Sequence, residues 1–257
     1  MKNLAYFFVF WLFSLSYEVV AQHNDTRYAF AFSAQDSPVS LTILAYLNNG
    51  VTGLETFFAD SFQQTFEVRL HPHRSQMDSV WQVEWQMPEF RSECWMVASG
   101  VGTKLDLLDP NVWPVEACEH RWEDTLASFR LLTHELCHVY HGQHNPSPDF
   151  SQVTGLDWFV EGLAVYASGQ CDVTRLTGVQ QWLKQKEPLQ NLDVFWSGKH
   201  KYGLSGSMVM YIDQTYGRQT LIQLLKLQTK TALLATLHCT ESGLLSAWDA
   251  WIRQSQW

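Results

Sequence analysis

The segment LLTHELCHVYHGQHN (131–145) constrains the fold more than any other part of the chain, because it places four histidines and a glutamate in fifteen positions. His134 and His138 are four residues apart, so on a helix both rings lie on one face, one turn apart. Two imidazoles at this spacing can bind one zinc ion, while Glu135 holds a water without binding the metal. Zinc acidifies the water and the glutamate takes its proton. The segment therefore predicts a metal site on a helix.

An amphipathic pattern supports a helix around this motif. Apolar side chains in EDTLASFRLLTHELCHVYHG recur at spacings of three and four, at Leu126, Phe129, Leu132, Leu136 and Val139. Gly142 stands where a C-cap is expected. Cys137 lies between the two histidines and faces another side of the helix, so we expect a buried free thiol rather than a metal ligand.

A catalytic zinc site needs a third protein ligand and an open position. One candidate is His144, ten residues after His134, the spacing of the longer H-E-x-x-H-x-x-G-x-x-H pattern. That pattern needs a glycine at position 141, where this chain has His141 and the glycine comes one residue late. The other candidate is Glu161 in DWFVEGLAVY, 23 residues after His138, which leaves room for a loop and a return helix. The residues alone leave both candidates open.

Three segments in order, THELCHV, WFVEGLAVY and YGLSGSMVMYIDQTYG, resemble the peptidase MA-like branch of the gluzincins, the relatives of thermolysin and of the aminopeptidases. The resemblance implies that His134, His138 and Glu161 bind one zinc ion per chain and that Glu135 is the general base. It also implies that the hydroxyl of Tyr202 donates a hydrogen bond to the oxyanion of the tetrahedral intermediate.

The resemblance has consequences for several neighbouring residues. His141 and His144 are expected in solvent, just past the end of the metal helix. Many gluzincins carry an acidic residue one turn after the third ligand, and this chain has Val165 there. Asp157 or a backbone carbonyl is then expected to orient a ligand histidine. His200 is a weaker substitute for the tyrosine donor.

The predicted fold class is α+β and zincin-like, with a mixed sheet-and-helix N-terminal lobe at about 22–122 and a mostly α-helical part at about 123–257, packed as one domain. TFEVRLHPH, SVWQVEWQM and TKLDLLDP alternate and predict strands. Residues 41–66 have helical spacing, interrupted by NNG. Gly100 and Gly102, in a strand-like stretch, either allow a peptide to add to an edge strand or mark an ordinary glycine bend.

The N-terminus predicts export. Lys2, an apolar run and VVA before Gln22 are typical of a cleavable signal peptide at residues 1–21, and a secreted or periplasmic location follows. In an oxidising compartment cysteines can form disulfides. Proximity in the sequence favours the pairs Cys94–Cys118 and Cys171–Cys239, and this pairing leaves Cys137 free.

The charge and the motif together define the expected function. A net charge of −9 argues against nucleic acid or an anionic membrane as partner, since both need clustered basic residues, and no membrane attachment is expected after signal cleavage. We expect an exported zinc-dependent metallopeptidase that hydrolyses a peptide or protein substrate through a zinc-activated water and a glutamate base. The alternative is a zinc-binding module with a peptidase-like fold that does not catalyse.

Overall fold

Five strands in the first half of the chain form one mixed sheet. The computed structural model describes residues 20–24, 26–33 and 37–257. The strands are β1 (Val20–Asn24), β2 (Tyr28–Ser33), β3 (Phe66–His71), β4 (Ala98–Val101) and β5 (Lys104–Leu108). Their order is β1-β2-β3-β5-β4. The β1–β2 and β4–β5 pairs are antiparallel, whereas β3 runs parallel to both β2 and β5.

Helices connect the parallel strands and form nearly all of the second half. Two neighbouring strands that run parallel need a long crossover connection. The helix α1 (Ser37–Phe58) connects β2 to β3, and α2 (Arg74–Glu84) lies in the connection from β3 to β5. The later helices are α3 (Trp113–Glu116), α4 (Thr125–His144), α5 (Asp157–Ala167), α6 (Val173–Leu183), α7 (Lys201–Tyr216), α8 (Arg218–Leu224), α9 (Lys230–Thr236) and α10 (Glu241–Gln254). A small sheet followed by a helical half is an α+β fold, as the sequence predicts.

One cluster of buried apolar side chains runs through both halves. It extends from Tyr28 on β2 to Ile252 on α10, and both of these side chains are fully buried. Its largest members are aromatic, among them Trp81, Trp113 and Trp248. In the described part of the chain, no helix combines the length and the apolar character needed to span a membrane.

The predicted signal peptide at residues 1–21 lies outside the described residues, except that Val20 and Ala21 begin β1. The structure therefore does not test the signal peptide. Strands β3 and β5 confirm the predictions made for TFEVRLHPH and TKLDLLDP.

The predicted interruption at NNG is wrong, because α1 continues through these residues. A Cβ at Gly50 would lie 2.8 Å from the side chain of Leu136, so the glycine allows α1 to approach α4. Asn48 accepts a hydrogen bond from the hydroxyl of Tyr28 at 2.8 Å. Both residues therefore serve packing rather than a turn.

The predicted strand in SVWQVEWQM is also wrong, because residues 74–84 form α2. The buried side chains Met77 and Trp81 are four residues apart, and Trp81 stacks on Trp85 with ring centroids 4.8 Å apart. Val83, one of the apolar residues of the apparent alternation, is 77% exposed. The short segment fits both the two-residue period of a strand and the helical period. Burial of one face against the sheet favours the helix.

One of the two predicted disulfides is present. Cys94 and Cys118 are bonded, whereas Cys171 and Cys239 are free. Cys171 lies against Gly206 of α7 and Cys239 lies beside Tyr216 near the far end of that helix. Ten residues of helix separate these points by roughly 15 Å, and a disulfide needs Cα atoms about 4.4–6.8 Å apart. The second pairing is therefore wrong.

The helix α4 is longer than predicted and is enclosed by close backbone contacts. It begins after Asp124, whose carboxylate accepts a hydrogen bond from the amide of Ala127 at 3.1 Å, and it continues past Gly142. A Cβ at Gly142 would lie 2.5 Å from the carbonyl oxygen of Pro148, and one at Gly100 would collide with the carbonyl of Glu135. The predicted C-cap is therefore wrong, and Gly100 brings β4 against the metal helix.

The backbone contact between α5 and α7 at Gly162 generates a stability prediction. A Cβ there would collide with the carbonyl group of Ser205, so Gly162→Ala should lower the free energy of unfolding by about 1–3 kcal/mol. Gly178, inside α6, has no atom within 4 Å of the added Cβ. Gly178→Ala should therefore raise that free energy by about 0.5–1 kcal/mol. Urea unfolding measures both, and equal stability of the two variants would contradict the close contact.

Candidate metal centre

The helix α4 presents two histidine rings to the same point. His134 and His138 are both 7% exposed, and their ring centroids are 4.8 Å apart. The two Nε2 atoms face each other at 3.1 Å. The spacing of four residues therefore produces the geometry that the sequence predicts.

The helix α5 brings a carboxylate to this pair. Oε2 of Glu161 lies 3.4 Å from Nε2 of His134 and 3.7 Å from Nε2 of His138. The next residue, Gly162, is the one that contacts α7 so closely, so the position of Glu161 depends on that packing. Each of the three side chains offers one ligand atom, and these atoms all lie within 4.8 Å of one another.

Opposite charges organise the three groups. Burial disfavours the charge on Glu161, but the neighbouring His138 and His134 outweigh it and hold the pKa of Glu161 well below its usual range. Burial likewise works to lower the pKa of His138, yet the carboxylates of Glu161 and Glu135 raise it. The third group is therefore held as an ionised carboxylate, the form that a metal ligand must have.

The donor set fits a zinc ion. Two imidazole nitrogens and one carboxylate oxygen converge, which is a ligand set of catalytic zinc sites with a position left for water or substrate. Two ring nitrogens that face each other at 3.1 Å need a proton or a cation between them. Cys137 is buried, free and outside this group, and burial raises the pKa of its thiol far above the ordinary value. The expectation of a buried free thiol is met.

The structure contradicts the expectation for the two later histidines of the motif segment, which are buried within α4. His144 is 9% exposed, and its Nδ1 donates a hydrogen bond to the carbonyl oxygen of Tyr140 at 2.8 Å. Its Nε2 lies 3.5 Å from Asp60. His141 is 1% exposed, its Nε2 donates to the carbonyl oxygen of Leu225 at 3.2 Å, and burial lowers its pKa to about 3. Neither belongs to the three-residue cluster, because the helix continues and turns them toward other parts of the core.

The two potential catalytic side chains lie in the same cavity as the cluster. Glu135 follows His134 on α4 and is half-buried, and it lines a cavity of about 730 Å³ together with Glu161. Tyr202, near the start of α7, also lines it, with its ring centroid 6.4 Å from that of His134. Burial, assisted by the carboxylates of Glu161 and Glu135, raises the pKa of Tyr202, so its hydroxyl remains a hydrogen-bond donor at neutral pH.

The expected orienting partner of a ligand histidine is not at Asp157. Asp157 is exposed at the start of α5. In the described part of the chain, Nδ1 of His134 is buried and has no hydrogen-bond partner. Val165, where many gluzincins have an acidic residue, is buried in a small apolar cluster with Cys171. The ring of His200 contacts that of Trp182 with centroids 5.5 Å apart and lines a different cavity, so the site offers no role for it as a donor.

A disulfide positions one wall of the cavity. Cys94 and Cys118 immediately precede Trp95 and Glu119, both of which line it. Nε2 of His120 donates a hydrogen bond to the carbonyl oxygen of Trp95 at 3.0 Å, which joins the two segments again. The predicted Cys94–Cys118 pairing, which the structure confirms, is the sequence signal that brings Trp95 and Glu119 together.

Other cavity residues carry no sequence signal. They come from separate helices and loops and include Phe150, Arg175, Trp196 and Lys201. A larger cavity of about 1080 Å³ lies beside the first and shares Gly198 and Lys199 with it. It lacks a cluster of potential metal ligands, so the site is assigned by its side chains and not by size.

No protein-family model and no curated protein matches the chain. Among solved structures, a mutant M1 zinc metallopeptidase from Deinococcus radiodurans is 12% identical with a TM-score of 0.46, over 93% of this chain and 52% of that one. The unmutated enzyme is 13% identical with a TM-score of 0.45, over 91% and 50%. A two-domain M1 zinc metallopeptidase mutant bound to L-arginine is 13% identical with a TM-score of 0.43, over 91% and 50%. The chain thus spans about half the length of these structures.

Zinc content distinguishes the two candidate third ligands. The wild-type protein should hold one zinc ion per chain, and Glu161→Ala should weaken zinc binding by more than about a hundredfold, since removing even an indirect partner typically costs 10–100-fold. His144→Ala should keep its zinc, because that ring contacts Tyr140 and Asp60 instead. Elemental analysis after dialysis against a zinc buffer measures the content. Loss of zinc in His144→Ala alone would show that the assignment of Glu161 is wrong.

Proposed function

We propose that the chain is an exported metallopeptidase of the zincin type, with one zinc ion held by His134, His138 and Glu161. The observation that carries the proposal is the convergence of two imidazoles and a carboxylate from two helices, beside Glu135 and in an open cavity. A structural zinc site closes all four positions with protein ligands. This cluster supplies three ligands and faces a cavity, as a catalytic site requires.

The chemistry assigns Glu135 the proton transfers. When bound, zinc acts as a Lewis acid on water and on a carbonyl oxygen. The carboxylate of Glu135 accepts a proton from the attacking water while the new carbon–oxygen bond forms. It then gives this proton to the amine nitrogen as the carbon–nitrogen bond breaks. Glu135 is outside the three-residue cluster, so its carboxylate can serve as the base.

Tyr202 has the role of stabilising the oxyanion. Its ring lies beside that of His134 and contacts Trp196 with ring centroids 5.0 Å apart. Packing between these rings holds the side chain before substrate arrives. A positioned donor is most effective in a site that excludes water, because it needs no rearrangement as charge develops.

An extended peptide fits the edge of the sheet. β4 is the last strand in the sheet order, and its residues Ala98–Val101 line the cavity next to the metal cluster. The free edge of such a strand can hydrogen-bond a substrate backbone. The net charge of −9 favours peptides over nucleic acid as the partner.

Export is supported by the Cys94–Cys118 disulfide, because structural disulfides persist in oxidising compartments. The signal peptide at residues 1–21 is the second element of this part of the proposal. Together they support a periplasmic or extracellular location for the mature enzyme.

Substitution of the general base separates an enzyme from a zinc-binding module. Glu135→Gln should lower the rate of peptide cleavage by about 10²–10⁴-fold and leave zinc content unchanged, because the amide cannot take the proton. Cleavage of a random-sequence peptide pool, followed by mass spectrometry, measures the rate. If wild-type protein loaded with zinc cleaves nothing in the pool, the chain is a binding module, and if the variant cleaves as fast as an active wild type, Glu135 is not the base.

Removal of the tyrosine hydroxyl tests oxyanion stabilisation. Tyr202→Phe should lower kcat by about 10²–10³-fold with little change in KM, because the donor acts mainly in the transition state. The matched control is Tyr166→Phe, which loses a hydrogen bond to Asp213 and lies outside the cavity lining. The control should keep kcat. If Tyr202→Phe has the same kcat as the control, Tyr202 serves only packing.

A further inference from the structure

Three cations line one side of the site cavity without an acidic partner. They are Arg175, Lys199 and Lys201. Many other cations of the described residues do pair with carboxylates, namely Arg69, Lys104, Arg130, Arg218, Lys230 and Arg253. Four carboxylates, those of Glu119, Glu135, Asp149 and Glu161, also line the cavity, but within the described ranges none of them forms an ion pair with the three cations. Other cations of the described residues, such as Arg91, Lys184 and Lys226, also form no ion pair, so what distinguishes these three is that they line the site cavity.

Arg175 is the most constrained of the three. The nearest acidic residue in sequence is Asp172, which caps α6 through the amide of Arg175 at 3.1 Å and pairs with Arg130 at 3.0 Å. The guanidinium of Arg175 forms no ion pair with Asp172 and lies 5.7 Å from the ring centroid of Tyr202. Its Nη1 is buried and makes no hydrogen bond to any described residue. A buried charged donor left unsatisfied is costly unless a ligand supplies the acceptor.

Lys201 is held in place by aromatic rings. Its Nζ lies 4.3 Å from the ring centroid of Trp196, 5.1 Å from that of Tyr202 and 5.3 Å from that of Trp95. Cation–π attraction fixes the ammonium without neutralising it. The charge therefore stays available to an anion in the cavity.

Tyr202 connects this cluster to the metal centre. Its ring contacts the charged groups of Arg175 and Lys201, and it also lies 6.4 Å from the ring of His134. A group bound by the two cations would therefore lie at most roughly three to four residues of extended chain from the ring of His134, at about 3.3 Å per residue.

We propose that Arg175, Lys199 and Lys201 form a subsite for a substrate carboxylate, so that the enzyme selects peptides with a negative charge close to the bond that is cleaved. This inference rests on the proposed peptidase function. The planar guanidinium can bind a carboxylate through two parallel hydrogen bonds, and the fixed ammonium adds a point charge. The carboxylate belongs either to the C-terminus of a short peptide or to an aspartate or glutamate side chain.

Three matched peptide pools test the subsite. All are N-acetylated random hexapeptides: the first lacks acidic residues and has a free C-terminal carboxylate, the second is its C-terminal amide, and the third is an amide with one aspartate. Wild-type protein should cleave the first or the third pool at least about tenfold faster than the second, as expected for a hydrogen-bonded charge pair. Preference for the first identifies the C-terminus, and preference for the third identifies a side chain.

Variants assign the preference to the cations. Arg175→Gln and Lys201→Gln should each reduce it about tenfold, and Arg175→Lys should retain part of it because the charge remains. The control Lys226→Gln removes an exposed cation outside the cavity lining and should change nothing. Two variants on different helices keep the test valid if one of them fails to fold. A preference that survives both substitutions would overturn the proposal.

Capture of the same pools on immobilised, zinc-loaded Glu135→Gln protein separates this inference from the proposed function. Retention of the carboxylate pools over the amide pool supports the subsite even if wild-type protein cleaves nothing, in which case only the peptidase proposal fails. Cleavage of all three pools at equal rates, with equal capture, overturns the subsite and leaves the peptidase standing. Absence of both cleavage and capture overturns both.

Discussion

The site depends on close backbone contact around α4. At Gly100 the strand β4 lies against the carbonyl of Glu135, and at Gly50 the helix α1 lies against Leu136. A Cβ at either position would push these elements apart. Because cores are packed at nearly crystalline density, such a shift would move the histidine rings as well. The absence of a side chain at Gly100 thus lets the edge strand β4 approach Glu135 and His138.

The charged side chains of the site fall into two groups on either side of Tyr202. Glu161 and the two histidines hold one another by opposite charge, and this cluster faces inward from α4 and α5. On the other side of Tyr202, Arg175 and Lys201 remain without carboxylate partners. The tyrosine ring therefore lies between a cluster suited to a cation and a region suited to an anion.

The sequence predicted correctly those features that depend on a single helix or strand. The spacing of His134 and His138 needs only a helix, and β3 and β5 follow from alternation ended by a proline or a turn. Prediction failed where the same residues are compatible with two structures and tertiary packing decides between them. The segment 74–84 satisfies both a strand and a helix period, and α1 continues through a glycine that faces another helix. His144 was wrongly expected in solvent, because the helix continues for two residues beyond its glycine.

The sequence by itself determined the identity of the two facing histidines, the neighbouring glutamate and the α+β composition, since these depend on periods of a few residues. The residues alone left Glu161 and His144 as rival third ligands, and only the resemblance to the gluzincins favoured Glu161. Only the tertiary structure brought Glu161 within 3.4 Å of His134 and buried His144 against Tyr140. It alone also showed the unpaired cations and the wall built on one disulfide. The physical reason is that these contacts join segments far apart in the chain, whose distance depends on how side chains of different helices fill a shared core.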